Sequence, residues 1–432
     1  MNRAVGVVVA AAVAALAVAL GTSAPRVVEA ASVAVTSSAD SGPGSFRQAV
    51  LDASGNAGIN LIVLKNGQPI TLNSPVEYTG AQALTIQGDS FLVNRVIQGV
   101  HGPDECYLLR SSGGADLTLT RVTMQDSDCG GVEVTGGNGF GEIVVTVTRS
   151  TFHDLGLSGI RLADAFTDAS FTFSAALSHF DDNGLNGVEV FELDAGQARV
   201  SVNGSSFDRN AFEGLHIEET GEGDVTLRAG TSSFSGNGHG IVVQEADTGN
   251  LDVGLTSVQA NGSRSRSGIE LTEIDSGNLM LAGSVVVVNG GFGSGLAAVE
   301  LGEGDLVGRL TGVQVRDNSQ TGLALLELDS GKLDAAVSWS IADGNEVGFS
   351  FGEGGEGDLS VLVFGSTASH NELGFALGET DDGAFNARML VTTSLLNDAG
   401  VEAEAIGDPG MLDRTGSPLL GPFNLTNVNL VP

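Results

Sequence analysis

The feature that most constrains this chain is a motif that keeps returning. GVEVFELDAGQ at Gly187–Gln197 recurs as GLHIEETGEGD, GIVVQEADTGN, GIELTEIDSGN, GLAAVELGEGD, GLALLELDSGK, GFSFGEGGEGD and GFALGETDDGA, the last opening at Gly374. The opening glycines are 27, 26, 28, 27, 27, 26 and 26 residues apart. A period of that size describes a stacked array, in which each unit buries its apolar face against its neighbours rather than in one globular core. The sixth residue of every copy is glutamate: Glu192, Glu219, Glu245, Glu273, Glu300, Glu327, Glu353 and Glu379.

Each unit offers three short alternating runs between Gly and Asn. In Ala198–Asp224 they are Arg199–Val202, Ser205–Phe207 and Leu215–Ile217, which are strand signals. A 27-residue unit with three strands has no room for a crossover helix, so the same strand of successive units must stack in parallel. Units are cut at Leu117, Val144, Phe171, Ala198, Val225, Leu251, Leu279, Leu306, Leu333, Leu359 and Phe385. Phe152, Phe180, Phe207 and Phe234 form an aromatic column of the core. Asn183, Asn210 and Asn237 follow three residues after the last three, and Asn261, Asn289, Asn318, Asn345, Asn371 and Asn397 continue the series. Asparagine tolerates left-handed backbone, and its amide can bond the units above and below.

Before the array, Ser32–Thr36 reads as a strand and GPGSFRQAVLDASG as a helix. Ser45 is its N-cap, Gln48 completes a capping box, and Phe46, Ala49, Val50 and Ala53 share one face. Such a helix covers an otherwise open end of a stack. Short strands are expected at Leu61–Leu64, Ile70–Leu72, Leu84–Gln87 and Arg95–Gln98.

The segment SADSGPGSFRQAVLDASGNAGINLIVL resembles the opening of bacterial secreted right-handed parallel β-helix proteins, a large group with the pectin-lyase-like fold. There a Gly-Ser-Leu-Arg-x-Ala-Ile-like helix precedes a strand; Phe46 stands here where leucine is usual. The resemblance implies an all-β, right-handed parallel β-helix of about 11–12 coils with an N-terminal capping helix. An asparagine ladder at one corner is typical of that group, which mixes polysaccharide-acting enzymes, adhesins and surface proteins. The expected divisions are 1–30 as a signal peptide, 31–116 as cap and irregular coils, 117–410 as regular repeats, and 411–432 as a second cap.

The signal reading rests on Arg3, the apolar run Ala4–Leu20 and the small-residue site ending at Ala30. It makes the protein secreted or cell-surface. No later segment is long and apolar enough to cross a bilayer. The formal charge is −34, and removing Arg3, Arg26 and Glu29 leaves 17 − 52 = −35. Such a chain repels nucleic acids and anionic membranes, and it suits cations or a basic partner. Cys106 and Cys129, 23 residues apart, are expected to form a disulfide between adjacent coils in an exported protein.

Three constellations are candidates for function. Stacked at strand spacing, neighbouring glutamates of the ladder stand ~4.8 Å apart. Each pair repels by ~1 kcal/mol in water and ~3.5 kcal/mol at an effective dielectric of about 20. They must splay into solvent, cap their glycine turns, share protons or bridge Ca²⁺. The second constellation is an outward column on the third strand, Glu133, Arg161, Glu189 and His216, continued by Val242 and Glu270. Glu133 and Glu189 should lie ~9.6 Å apart, near the upper limit for an inverting glycosidase pair. An arginine among acids also resembles the uronate sites of β-helix lyases. The alternative is a ladder of neighbouring charge pairs. Gly238-His239-Gly240 stands alone as a weak motif. The third constellation is a lengthened corner with Arg264 and Arg266, and Phe292 one coil later, suited to a glycan or peptide. The leading reading is a non-catalytic extracellular structural, adhesive or ligand-binding solenoid with acidic corners that take Ca²⁺. The alternative is a polysaccharide lyase or glycoside hydrolase working on the outward third-strand face, with an extracellular glycan as partner.

Overall fold

Alternation decides what each short run becomes. In Ala198–Asn203 the residues Ala198, Val200 and Val202 are buried while Arg199, Ser201 and Asn203 are exposed, the signature of a strand with one face on a core. Repeated along the chain, such strands build a right-handed parallel β-helix of about 13 turns, slightly more than the repeat count indicates. The computed structural model describes residues 31–99, 106–136, 141–164, 169–380, 383–395, 397–405, 410–414, 417 and 423–431. The expected export segment, residues 1–30, lies outside the described residues.

Three parallel ladders run the length of the solenoid. The first sheet has 16 strands, from Ala31–Val35 to Val428–Val431, and the third has 14. The second is two five-stranded ladders, spanning Ile70–Asp181 and Val287–Leu395 in sequence. Single bridges through Ser206, Ser233 and Gln259 join them. The core is one continuous apolar column that includes the Phe152, Phe180, Phe207 and Phe234 rings, stacked 5.2, 4.8 and 4.8 Å apart.

The N-terminal helix runs Phe46–Gly55 with Ser45 as its cap, the hydroxyl accepting from the Gln48 amide at 3.2 Å. Its buried face is Phe46, Ala49, Val50 and Ala53, as the spacing requires. The box is only half made, because the Gln48 side chain donates to Asp52. A three-residue strand, Val76–Tyr78, is too short to stand out in the sequence.

Three expectations need correction. Val144 is an outward residue, with Ile143 and Val145 the buried ones, so the unit boundary there shifts by one. The left-handed residue at the asparagine corner is the one before the asparagine (Asp182, Arg209, Asp317, His370), which frees the amide to bond between coils. The 411–432 segment loses the repeat but not the stacking. Gly410–Asp413 and Val428–Val431 extend the first sheet and Phe423–Thr426 extends the third, so it continues the solenoid and does not fold across its end.

Candidate functional site on the third sheet

The outward column of the third sheet has the register the sequence requires. Glu133 pairs with Arg161, Arg161 with Glu189, and Glu189 with His216; Val242 and Glu270 follow. Two earlier levels belong to it as well, Glu77 and Arg110. Arg110 lies in the irregular first coils, where the repeat count gives no register.

The charges interlock. Arg110 Nε stands 2.6 Å from Glu133 Oε2, and Arg161 reaches Glu133 at 3.5 Å and Glu189 at 3.7 Å. Glu133 and Glu189 are 7% and 6% exposed, so both carboxylates lie beneath a cover of guanidinium groups. Glu189 also accepts from the Tyr107 hydroxyl at 3.3 Å and from Asn186 Nδ2 at 3.0 Å. Tyr107 is buried, and that burial, helped by the Glu189 charge, pushes its hydroxyl far above the usual phenol range. Arg161 lies 5.7 Å over the Phe191 ring, and His216 packs 5.2 Å from the same ring.

A second shell of imidazoles completes the patch. Glu213 faces His216 at 3.7 Å and His239 Nδ1 at 3.1 Å, and His239 approaches Glu270 at 3.9 Å. Burial works against the charge on Glu213, but the two imidazoles outweigh it and hold its carboxyl down to about 2. His239, the lone histidine of a weak sequence motif, thus joins the site through its neighbour coil. Tyr107 was not legible from the repeat. Cys106, just before it, is bonded to Cys129 with Cα atoms 4.8 Å apart, which ties together the two coils that carry Tyr107 and Glu133.

The glutamate ladder is in a different place from the one expected. All eight side chains point into the solenoid and are 0–1% exposed. Each sits over a glycine turn, whose amide donates to Oε1 four residues on: Gly223 to Glu219, Gly249 to Glu245, Gly304 to Glu300, Gly331 to Glu327, Gly357 to Glu353 and Gly383 to Glu379. A Cβ on Gly304 would overlap the carbonyl oxygen of Gly277 one coil below, so only glycine lets the turns close over the carboxyls. Asp164 pairs in register with Glu192 and starts the ladder one coil earlier. It is missed by a glutamate count because it is aspartate. Burial raises these carboxyls above the usual range: Glu192 and Glu353 to about 7, Glu245 to about 8, Glu219 and Glu300 to about 10, and Glu273 upward as well. Among the described residues no group of three or more His, Cys, Asp or Glu is arranged to hold a metal ion. The corner Ca²⁺ site inferred for Glu192 to Glu379 therefore has no open, solvent-facing set of oxygens to stand on.

The Arg264–Phe292 corner exists as expected and is tied to a break in the asparagine ladder. Asn183, Asn210 and Asn237 bond edge to edge, and so do Asn318, Asn345, Asn371 and Asn397. At the two levels between, Ser263 and Gly291 take the inner position, while Asn261 and Asn289 stand two residues outside it. Arg264 reaches back to the Asn210 carbonyl at 2.8 Å and borders a cavity of about 470 Å³ with Asp154, Asp182 and Arg209. Arg266 is exposed, and Phe292 is 69% exposed on the next coil. A serine column unseen in the sequence braces another corner, where Ser178, Ser205 and Ser232 hydroxyls accept amides of the preceding coil.

No protein-family model matches the sequence, and no curated protein matches it. Among solved structures the chain is similar to the A-module of Azotobacter vinelandii mannuronan C-5 epimerase AlgE4, at 15% identity over 87% of this chain and 94% of that one, TM-score 0.39. It is similar to the Dettilon tailspike protein, at 11% identity over 93% and 67%, TM-score 0.40. It is also similar to pectate lyase Pel9A, at 16% over 80% and 81%, TM-score 0.31. Likeness at this level concerns the β-helix and says nothing of activity.

Proposed function

We propose that the outward third-sheet face around Arg110, Arg161, Glu189 and His216 binds an acidic polysaccharide and removes a proton from a sugar carbon next to a carboxylate. One observation carries the reading: two guanidinium groups are held at the surface by carboxylates buried beneath them, with an imidazole one level on. In a chain of net charge −34, that is where an anionic glycan finds positive partners.

The chemistry follows from the partners. Glu133 is engaged by two arginines, and Glu189 accepts from Tyr107 and Asn186, so both act as ionised acceptors. Neither is placed to give a proton to a glycosidic oxygen, which disfavours the hydrolase version of the site despite the ~9.6 Å spacing. A uronate carboxylate paired with Arg110 and Arg161 loses charge, which acidifies the adjacent C–H. His216 is the group placed to take that proton, and Glu213 supports the imidazolium that forms. Expulsion of the 4-linked oxygen, protonated by water, completes an elimination; return of the proton from the other face would invert the carbon instead.

The test is incubation with polygalacturonate, polymannuronate and polyguluronate. Ultraviolet absorbance reads unsaturated ends, proton NMR reads inverted residues, and affinity electrophoresis reads binding. Product that disappears in Arg161→Ala and His216→Ala supports the assignment, and turnover unaffected by either change overturns it. Retardation without product favours the non-catalytic binding solenoid, a reading supported by five-residue corners such as 193–197 that leave the sheet face open.

A further inference from the structure

The buried ladder poses a problem of charge. Nine carboxyls, Asp164 and the eight glutamates, stack along one inner edge over about 38 Å at ~4.8 Å per coil. One oxygen of each glutamate caps a glycine turn or its flank. The second oxygen of Glu192, Glu219, Glu245, Glu300, Glu327 and Glu353, and both of Glu273, are buried with no donor facing them. Buried carboxylate oxygens without donors cost several kcal/mol each, so an ionised ladder is untenable. The groups within reach are the next carboxyls: Glu192 with Glu219, Glu219 with Glu245, Glu245 with Glu273, Glu273 with Glu300, Glu300 with Glu327, and Glu327 with Glu353. The other charged groups facing them are Asp164 and Asp194 at Glu192 and Asp275 at Glu273, all acidic. No lysine or arginine is among the groups that act on the ladder.

We infer that the ladder is a proton-loaded spine: neighbouring carboxyls share protons as carboxyl-to-carboxylate hydrogen bonds, and the folded chain holds several protons that the unfolded chain gives up at neutral pH. The spine makes the solenoid an acid-stabilised structure that loosens as it loses protons. A group whose value is higher folded than unfolded gives stability fully present below its unfolded value of about 4.3 and lost as pH rises through its folded value. Here that window runs from about 4.3 to about 7 for Glu192 and Glu353 and on to about 10 for Glu219 and Glu300. At pH 7 three glutamates, Glu219, Glu245 and Glu300, have folded values above the solution pH.

The experiment is thermal unfolding of the purified protein from pH 5 to 9, with proton release measured in buffers of different ionisation enthalpy. The expected result is a Tm that falls by roughly 10 °C across that range, and release of about three protons per chain on unfolding at pH 7. Surface repulsion is screened by salt, so the slope should persist in high NaCl. Glu300→Gln replaces a shared proton with an amide donor and should flatten the slope, raising Tm at pH 9. Glu303→Gln, exposed on the same corner, should leave the slope unchanged. Should Glu300→Gln fail to fold, the infrared carbonyl band of protonated carboxyls in the wild-type protein at pH 7 decides the matter. Absence of that band, proton release near zero, a slope abolished by NaCl, or a Tm governed by Ca²⁺ and chelator would each overturn the inference.

Discussion

Glu189 and Glu192 lie three residues apart on one strand, and each belongs to a column of acids that climbs the third sheet. Their fates are opposite. Glu189 faces outward into a lattice of arginines, a tyrosine and an asparagine, so its charge has partners. Glu192 shares the parity of Val188 and Val190, faces the core, and meets other carboxyls above and a glycine turn beside it. A carboxylate column is stable as ions where cations can reach it and as shared protons where only backbone and other acids can. Strand parity, not residue type, separates a binding face from a structural spine.

Four changes break or sharpen that contrast. Gly304→Ala should do most, because its methyl would overlap the Gly277 carbonyl and push into the turn that caps Glu300. The expected cost is ~3 kcal/mol or more, read by denaturant unfolding. Gly378→Ala, with nothing within 4 Å, should be near neutral. Asn345→Ala comes next: it removes the acceptor of two Asn318 groups and the donor to Val315 and Asn371. A loss of ~2–4 kcal/mol is expected, whereas Asn261→Ala, outside the inner ladder and accepting only from Asn289, should cost under ~1 kcal/mol. Replacing both Cys106 and Cys129 with serine should cost ~2–3 kcal/mol and, by loosening Tyr107 under Glu189, weaken polyuronate binding on the outer face. Arg161→Ala should have the smallest effect on stability, under ~1 kcal/mol, since its ion contacts are long and half-exposed. It should still lower polyuronate binding or turnover at least tenfold, by about 1.4 kcal/mol. A stability loss in Arg161→Ala as large as that in Gly304→Ala would erase the distinction between face and spine.

Much of the outer site was legible before any coordinates. A period of 26–28 residues fixes which side chains share a level, so Glu133, Arg161, Glu189 and His216 had to form one column. Arg110, Tyr107 and His239 were not legible in that way. Arg110 and Tyr107 sit in irregular early coils, and His239 reaches the site only through Glu213 of the coil before it. The ladder offered a subtler lesson. Alternation along Val188, Val190 and Glu192 already points the glutamate inward, but a charged residue at the end of a strand reads as the start of a corner. The asparagine series misled in the opposite sense. Equal spacing carried Asn261 and Asn289 into it, while insertion of residues at that corner moved Ser263 and Gly291 into the inner positions.

The sequence by itself determined the architecture: parallel coils, a capping helix and columns of like residues, because a repeated spacing leaves stacking as the only way to bury each unit's apolar face. The tertiary structure decided which carboxyls keep their charge. That choice depends on how closely the adjacent coil's backbone approaches, as the glycine turns do over Glu192 to Glu379, and on which cations from distant coils can reach the same oxygen. Neither distance is written in a period.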